Sequence, residues 1–252
     1  MTQASQTSDT RPRNRRATVA GLAAVVALLA VGATAVMTRQ KGDSPAGSSS
    51  ALPAVAPTPA GTPLAAEQGP DLMIPQRTKG DPAAPITIYE IADFQCPACR
   101  MFWEQTLPAI ERDYVRTGKA RIVFINFPIT SIHRNAAPAA ALAMCAARQD
   151  RFWPMHDLLF ATQTDWAALA DPAPYFRTLA DSAGMSQQSL GDCMATGETQ
   201  AMVQAETEAS WQAGVKSTPS FIVQGALLAG AAPIDIWRPI LDSIFTATTT
   251  AR

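Results

Sequence analysis

The 252-residue sequence predicts an α/β domain with a β-α-β half and a β-β-α half, interrupted by an all-helical insert and preceded by a transmembrane helix and a disordered linker. Three observations carry this expectation. An apolar run at 86–92, ITIYEIA, is strand-like and gives way to a 3.6-residue period on which Cys99, Trp103, Leu107, Ile110 and Tyr114 share one face. Residues 133–213 are Ala-rich and helical in period throughout. A strand-turn-strand pattern at 220–229 then leads into a last amphipathic helix.

The chain has 20 basic and 21 acidic residues, so nothing in its charge points to nucleic acid as a partner. Residues 1–16 form a basic N-terminus with Arg11, Arg13, Arg15 and Arg16, followed by an uncharged run at 17–37. About 20 apolar residues can span a bilayer, and the heavier positive flank places the N-terminus in the cytoplasm and the body outside. The competing reading is a cleaved signal peptide, for which Ala33-Thr34-Ala35 offers a small-x-small site. Arg15-Arg16 also prompts a twin-arginine reading, which Ala17-Thr18-Val19 does not extend. All three export the domain.

Residues 38–70 are rich in Pro, Ala, Ser and Gly and lack the apolar residues a core needs, so they are expected to act as an extended tether. The folded part is expected as three pieces: 71–132, the insert 133–213, and 214–252. Gly80-Asp81-Pro82 marks a turn before the first core strand. On that strand Ile86, Ile88 and Glu90 share a face, which turns Glu90 toward the interior unless twist rotates it to solvent. The helix that follows should kink near residues 106–107 ahead of Pro108, and Gly118 suits its C-terminal cap. Residues 120–128, ARIVFINFP, read as a strand covered on both faces. Within the insert, helices are expected near 135–148, 152–161, 172–183, 186–195 and 198–213, with Gly184, Gly197 and Gly214 as stops. The last helix should begin close to Pro239, which a helix tolerates only near its start.

Cys96 and Cys99 fall at the strand-to-helix junction. There, unpaired N–H groups and the positive end of the helix dipole favour a Cys96 thiolate, and Pro97 suits the first helical position. Cys99, one turn later, faces inward and is placed to attack a mixed disulfide at Cys96. Cys-x-x-Cys is also half of a zinc site, but the chain has no second such pair and only two histidines, His133 and His156. A haem attachment site would need His where Arg100 stands. A tethered zinc- or copper-binding module is the alternative from a different class. No metal or other cofactor is expected. His133 and His156 read as packing residues. With Cys96 and Cys99 assigned to each other, Cys145 and Cys193 remain as a structural disulfide, against the alternative of two buried free thiols.

The motifs Asp93-Phe94-Gln95-Cys96-Pro97-Ala98-Cys99, Phe152-Trp153-Pro154-Met155-His156-Asp157 and Ser217-Thr218-Pro219-Ser220-Phe221, in this element order, resemble the thioredoxin fold. More narrowly, they resemble the exported thiol:disulfide interchange proteins of the DsbA type, whose helical domain interrupts the fold at this point. The resemblance implies that Pro219 is cis beside the cysteine pair and that Thr218 meets an extended substrate. It also implies that Glu90 lies beneath the cysteines and assists proton transfer, and that Cys145 and Cys193 form the second disulfide of some members. Exported proteins with cysteines are the implied substrates, and a quinone-linked membrane protein of the DsbB type is the implied reoxidising partner. The chain departs from the best-known oxidases at Ala98, where they carry a histidine that supports the thiolate. That departure predicts a less oxidising couple. Isomerase- or reductase-like relatives share Thr218 and provide the alternative direction. Isomerases of this broad type usually dimerise through an extra N-terminal domain, where this chain has only linker.

Overall fold

The computed structural model of the protein describes residues 73–250. The expected anchor at 17–37 and linker at 38–70 lie outside the described residues. Among the described residues, no helix is long and apolar enough to cross a membrane.

The sheet centres on β2 (Ile86–Ala92), which pairs in parallel with β3 (Ala120–Asn126) from Ile86 opposite Ala120 to Ala92 opposite Asn126. On its other side β2 runs antiparallel to β4 (Ser220–Val223), which forms a hairpin with β5 (Ala226–Ala229). The hairpin turns on Gln224 and Gly225 alone, and both have positive φ, 49° and 80°, as a type I′ turn requires. A two-residue strand, β1 (Thr78–Lys79), caps the far side of β3, giving the order β1-β3-β2-β4-β5. So short a strand has no periodicity to read, and it was not expected. Gly80 follows it with φ +113°, and a Cβ there would lie 2.9 Å from the carbonyl of Ala120. No other residue type fits that approach.

The helix after β2 is broken where Pro108 predicts. α1 (Pro97–Gln105) stops before α2 (Leu107–Ile110), and a π-helical turn (Glu111–Val115) follows. α9 (Ile234–Thr250) starts earlier than expected, so that Pro239 is its sixth residue. The anchoring of Trp237 and Leu241, both buried, outweighs the hydrogen bond that the proline cannot donate. Strand alternation turns Ile86 and Ile88 to one face of the sheet, against Phe102, Leu107, Phe221 and Trp237. Ile91, Val123, Ile125 and Val215 fill the other face.

The helical stretch enters after β3 and consists of α3 (Ala136–Ala147), α4 (Phe152–Ala161), α5 (Gln163–Trp166), α6 (Ala173–Ser182), α7 (Gln187–Thr196) and α8 (Glu198–Gln212). Five match the periodicity; the single-turn α5 was not expected. Its apolar core, including Leu142, Phe152, Leu159, Trp166 and Phe176, continues into Phe94, Cys96 and Cys99. Insert and cysteine pair therefore share one core. A buried ion pair also clips α8 to the sheet: Arg77 bonds Glu206 at 2.5 Å, and Glu206 accepts from both the backbone and the side-chain amide of Asn126 at the end of β3.

Cys145 on α3 and Cys193 on α7 are joined by a disulfide at a sequence separation of 48. By loop entropy such a link stabilises a fold by about 2–4 kcal/mol. Replacing both cysteines with Ala is expected to lower the unfolding free energy by that amount. The check is urea denaturation with the unfolding free energy extrapolated to water for each protein, since the freed unfolded chain also exposes more surface and raises the m-value.

Candidate functional site: a dithiol at a helix start

The segment linking β2 to α1 is folded by Asp93, whose buried carboxylate accepts the N–H of Gln95 at 2.7 Å, the N–H of Ile129 at 2.8 Å and His133 Nδ1 at 2.7 Å. The Cys96 N–H donates to the Asp93 carbonyl at 3.0 Å. Cys96 becomes the N-cap of α1, with extended backbone, and Pro97 takes the first turn. Both cysteines are free thiols here; Cys96 is 7% exposed and Cys99 is fully buried.

Thr218-Pro219 is a cis peptide, and the Cys96 thiol donates to the Thr218 carbonyl at 3.4 Å, across 122 residues of sequence. The structure thus brings Cys96, Cys99, Thr218 and Pro219 together. Pro97 is exposed and Ala98 half-buried on the outer side of the pair.

The two thiols have opposite acidities. The pKa of Cys96 is lowered to about 6, chiefly because the Cys99 thiol donates to its sulfur; burial opposes this, and the Thr218 side chain and the N–H groups of Cys99 and Ala98 add to it. Burial raises the Cys99 thiol well above its ordinary range, and its hydrogen bond to Cys96 raises it further. The helix terminus therefore contributes as expected, but the partner thiol is the larger influence.

Glu90 is fully buried at the centre of the sheet, opposite Phe124 on β3 and Phe221 on β4. Alternation puts it on the face of Ile86 and Ile88, which Phe102 of α1 covers. Among the described residues neither carboxyl oxygen has a hydrogen-bond partner, and burial raises its pKa to about 8, against the lowering influence of Lys79.

His156 is buried in a nest of rings, with Phe94, Phe124, Trp153 and Phe160 packed edge-on around it, and its Nδ1 meets Asp157 at 2.8 Å. Burial lowers its pKa and so favours the neutral ring. His133 holds Asp93, an influence on the cysteine segment that the sequence did not reveal. Among the described residues, no group of three His, Cys, Asp or Glu side chains could hold a metal ion.

A residue that carried no sequence signal also holds the site. Gln163, on α5, donates to the carbonyls of Phe94 and Cys96 at 2.7 and 3.0 Å. Gln95 donates to the Ala167 carbonyl at 3.0 Å and accepts the Asn135 N–H at 2.7 Å. A lone polar letter in a helical stretch reads as a solvated position; only the tertiary contact shows its use.

A family model described as Thioredoxin matches residues 73–243. Among curated proteins, the chain is 33% identical over 182 residues to Na(+)/H(+) antiporter NhaA 3 of Salinispora tropica, covering 70% of this chain and 26% of that protein. It is 33% identical over 108 residues to Disulfide bond formation protein D of Bacillus subtilis, covering 39% of this chain and 47% of that protein. The chain therefore spans less than half the length of either relative. Among solved structures, alpha-DsbA1 of Wolbachia pipientis superposes with a TM-score of 0.63 at 20% identity, over 69% of this chain and 93% of that one. Oxidised BdbD of Bacillus subtilis gives 0.62 at 21%, over 68% and 93%. The chain belongs to the thioredoxin family, with a helical insert between β3 and β4.

Proposed function

We propose that the protein is an exported thiol:disulfide oxidoreductase that exchanges the Cys96-Cys99 disulfide with cysteines of exported proteins. The observation that carries this is the split between the two thiols: Cys96, acidic at about 6, lies at the N-terminus of α1, and Cys99, fully buried, has its thiol pushed well above 9.0. The first is the better leaving group and the better target, and the second stays protonated when released.

In the oxidised enzyme, a substrate thiolate attacks Cys96 Sγ, the Cys96-Cys99 bond breaks, and Cys99 leaves and takes up a proton. Glu90, protonated at neutral pH on the face that α1 covers, is the proposed source of that proton. A second substrate thiolate then attacks the substrate sulfur of the mixed disulfide and releases Cys96 as a thiolate. Two substrate thiols lose two electrons and two protons, and the enzyme pair gains the electrons. An extended substrate strand would run beside Thr218 and Pro219. A quinone-linked membrane protein of the DsbB type would reoxidise the pair, with residues 17–37 anchoring the domain outside the membrane.

The acidity of Cys96 bears on direction. Thioredoxin, with a thiol near 7, has a potential of about −270 mV, and DsbA, near 3.5, about −120 mV. A value of about 6 supports a couple between these, on the thioredoxin side, as Ala98 predicts. That observation keeps an isomerase or reductase as the second reading. The antiporter name describes a protein of which this chain matches 26%, and it adds nothing to the cysteine chemistry.

The test is a trap. Cys99→Ala, mixed with an unfolded protein carrying reactive disulfides, is expected to accumulate a mixed disulfide through Cys96, visible as a reducible band on a non-reducing gel. An adduct that survives in Cys96→Ala with Cys99 intact, or no adduct in either variant, would overturn the assigned roles.

A further inference from the structure

Gln163 is 4% exposed and sits on α5, a single helical turn inside the insert. Its side-chain amide has two N–H bonds, and both are used on the segment that presents the cysteine, one on the Phe94 carbonyl and one on the Cys96 carbonyl. These carbonyls belong to the 94–95 and 96–97 peptides, so a single side chain fixes the peptide planes on either side of the 95–96 step. The Cys96 carbonyl also receives the Arg100 N–H of α1 at 3.2 Å, which fills both of its lone pairs. The N-cap residue is thus pinned between the helix it starts and the insert it faces.

The position of α5 is itself fixed from within the insert. Asn135 Nδ2 bonds the carbonyls of Trp166 at 3.1 Å and Leu169 at 2.9 Å, and the buried Trp166 donates to the Leu159 carbonyl at 2.9 Å. The exchange of bonds among Gln95, Ala167 and Asn135 adds a second tie alongside. None of these hydrogen bonds involves a cysteine sulfur.

We propose that Gln163 is the positioning residue through which the helical insert holds Cys96 in the conformation that aims the Ala98 and Cys99 N–H groups at its sulfur. The proposal rests on Cys96 being the exchanging thiol. Without the two amide N–H donors, the Phe94 carbonyl loses its partner and the Cys96 carbonyl keeps only the Arg100 N–H, and the segment turns to satisfy them elsewhere. The first-turn N–H groups then no longer converge on the thiolate. Losing one hydrogen bond to a charged group is worth roughly one tenfold step.

The experiment uses the reduced full-length protein and two variants of similar length, Gln163→Met, which has no donors, and Gln163→Glu, whose carboxylate repels both carbonyls. Thiolate absorbance at 240 nm is titrated against pH, and the equilibrium with glutathione is measured at pH 7. The expected result is a rise of about one pH unit in the Cys96 midpoint in each variant. It comes with an approximately fivefold drop in the glutathione equilibrium constant, about 20 mV at about 30 mV per tenfold. Gln187→Ala is the control: it removes a bond from Gln187 to the Arg177 carbonyl between α6 and α7, so it loosens the insert without touching the cysteine segment. A midpoint unchanged in both Gln163 variants, or moved as far in Gln187→Ala, would overturn the proposal. If the unmodified protein itself fails to equilibrate with glutathione, the exchange reading falls with it, and the two failures are told apart.

Discussion

Glu90→Gln is expected to gain stability over the unmodified protein as the pH rises, by about 3 kcal/mol between pH 4 and pH 7. Among the described residues the carboxyl has no hydrogen-bond partner, and burial moves its pKa from 4.5 to about 8. Such a raised carboxyl contributes its full stability below the unfolded value, and that contribution is lost as pH rises from 4.5 through 8, because the unfolded chain ionises first. At about 1.4 kcal/mol per unit, the 2.5 units between the unfolded value of 4.5 and pH 7 give the expected change. Gln cannot ionise, so its stability lacks this slope. The fixed offset between the variants includes the cost of burying an amide without partners and is not used. Chemical denaturation at pH 4, 5.5, 7 and 8 measures the difference, and parallel stability curves would show that Glu90 ionises freely in the fold. If Glu90 also supplies the proton to Cys99, the variant is expected to exchange disulfides more slowly.

Reduced Cys96 is expected to be alkylated by iodoacetamide with a half-maximum near pH 6, and Cys99 not at all below pH 9. At pH 7 about nine-tenths of Cys96 is then thiolate, against about one-hundredth for a thiol at its ordinary 9.0. Mass spectrometry after timed quenching locates the label. The same shift ties redox balance to pH. The lowered Cys96 value stabilises the reduced fold in full above pH 9, and that advantage fades as pH falls from 9 to 6. In Cys99→Ala the principal donor to the Cys96 sulfur is gone, so the half-maximum is expected to move upward. A half-maximum near 9 in the intact pair would remove the physical basis for Cys96 as leaving group.

Much of the fold can be read from local chemistry. β2 and β5 occupy the residues their patterns mark, and the break at Thr106 lies where Pro108 places it. The helices of the insert begin and end within a residue or two of their capping signals: Ser186 accepts the Ser189 N–H, and Gly197 takes the left-handed conformation that stops α7. What local pattern missed was β1 and the single-turn α5, both too short to have a period, and the true start of α9, where the anchoring of Trp237 outweighs the proline.

The sequence by itself determined the order of elements, the location of Cys96 and Cys99 at a helix start, and the pool of cysteines left to pair. Periodicity, caps and turn residues act over a few positions, and the chain spells them out. Only the tertiary structure decided that Glu90 has no partner, that Cys99 is the main donor to Cys96, that Thr218 supplies a carbonyl to that sulfur, and that Gln163 pins the segment between them. Each of these is a short polar contact or its absence between segments far apart in the chain. A glutamine or glutamate is the same letter whether water or a buried carbonyl faces it, and the cost of burial, which raises the pKa of Glu90 and of Cys99, exists only once the core has closed.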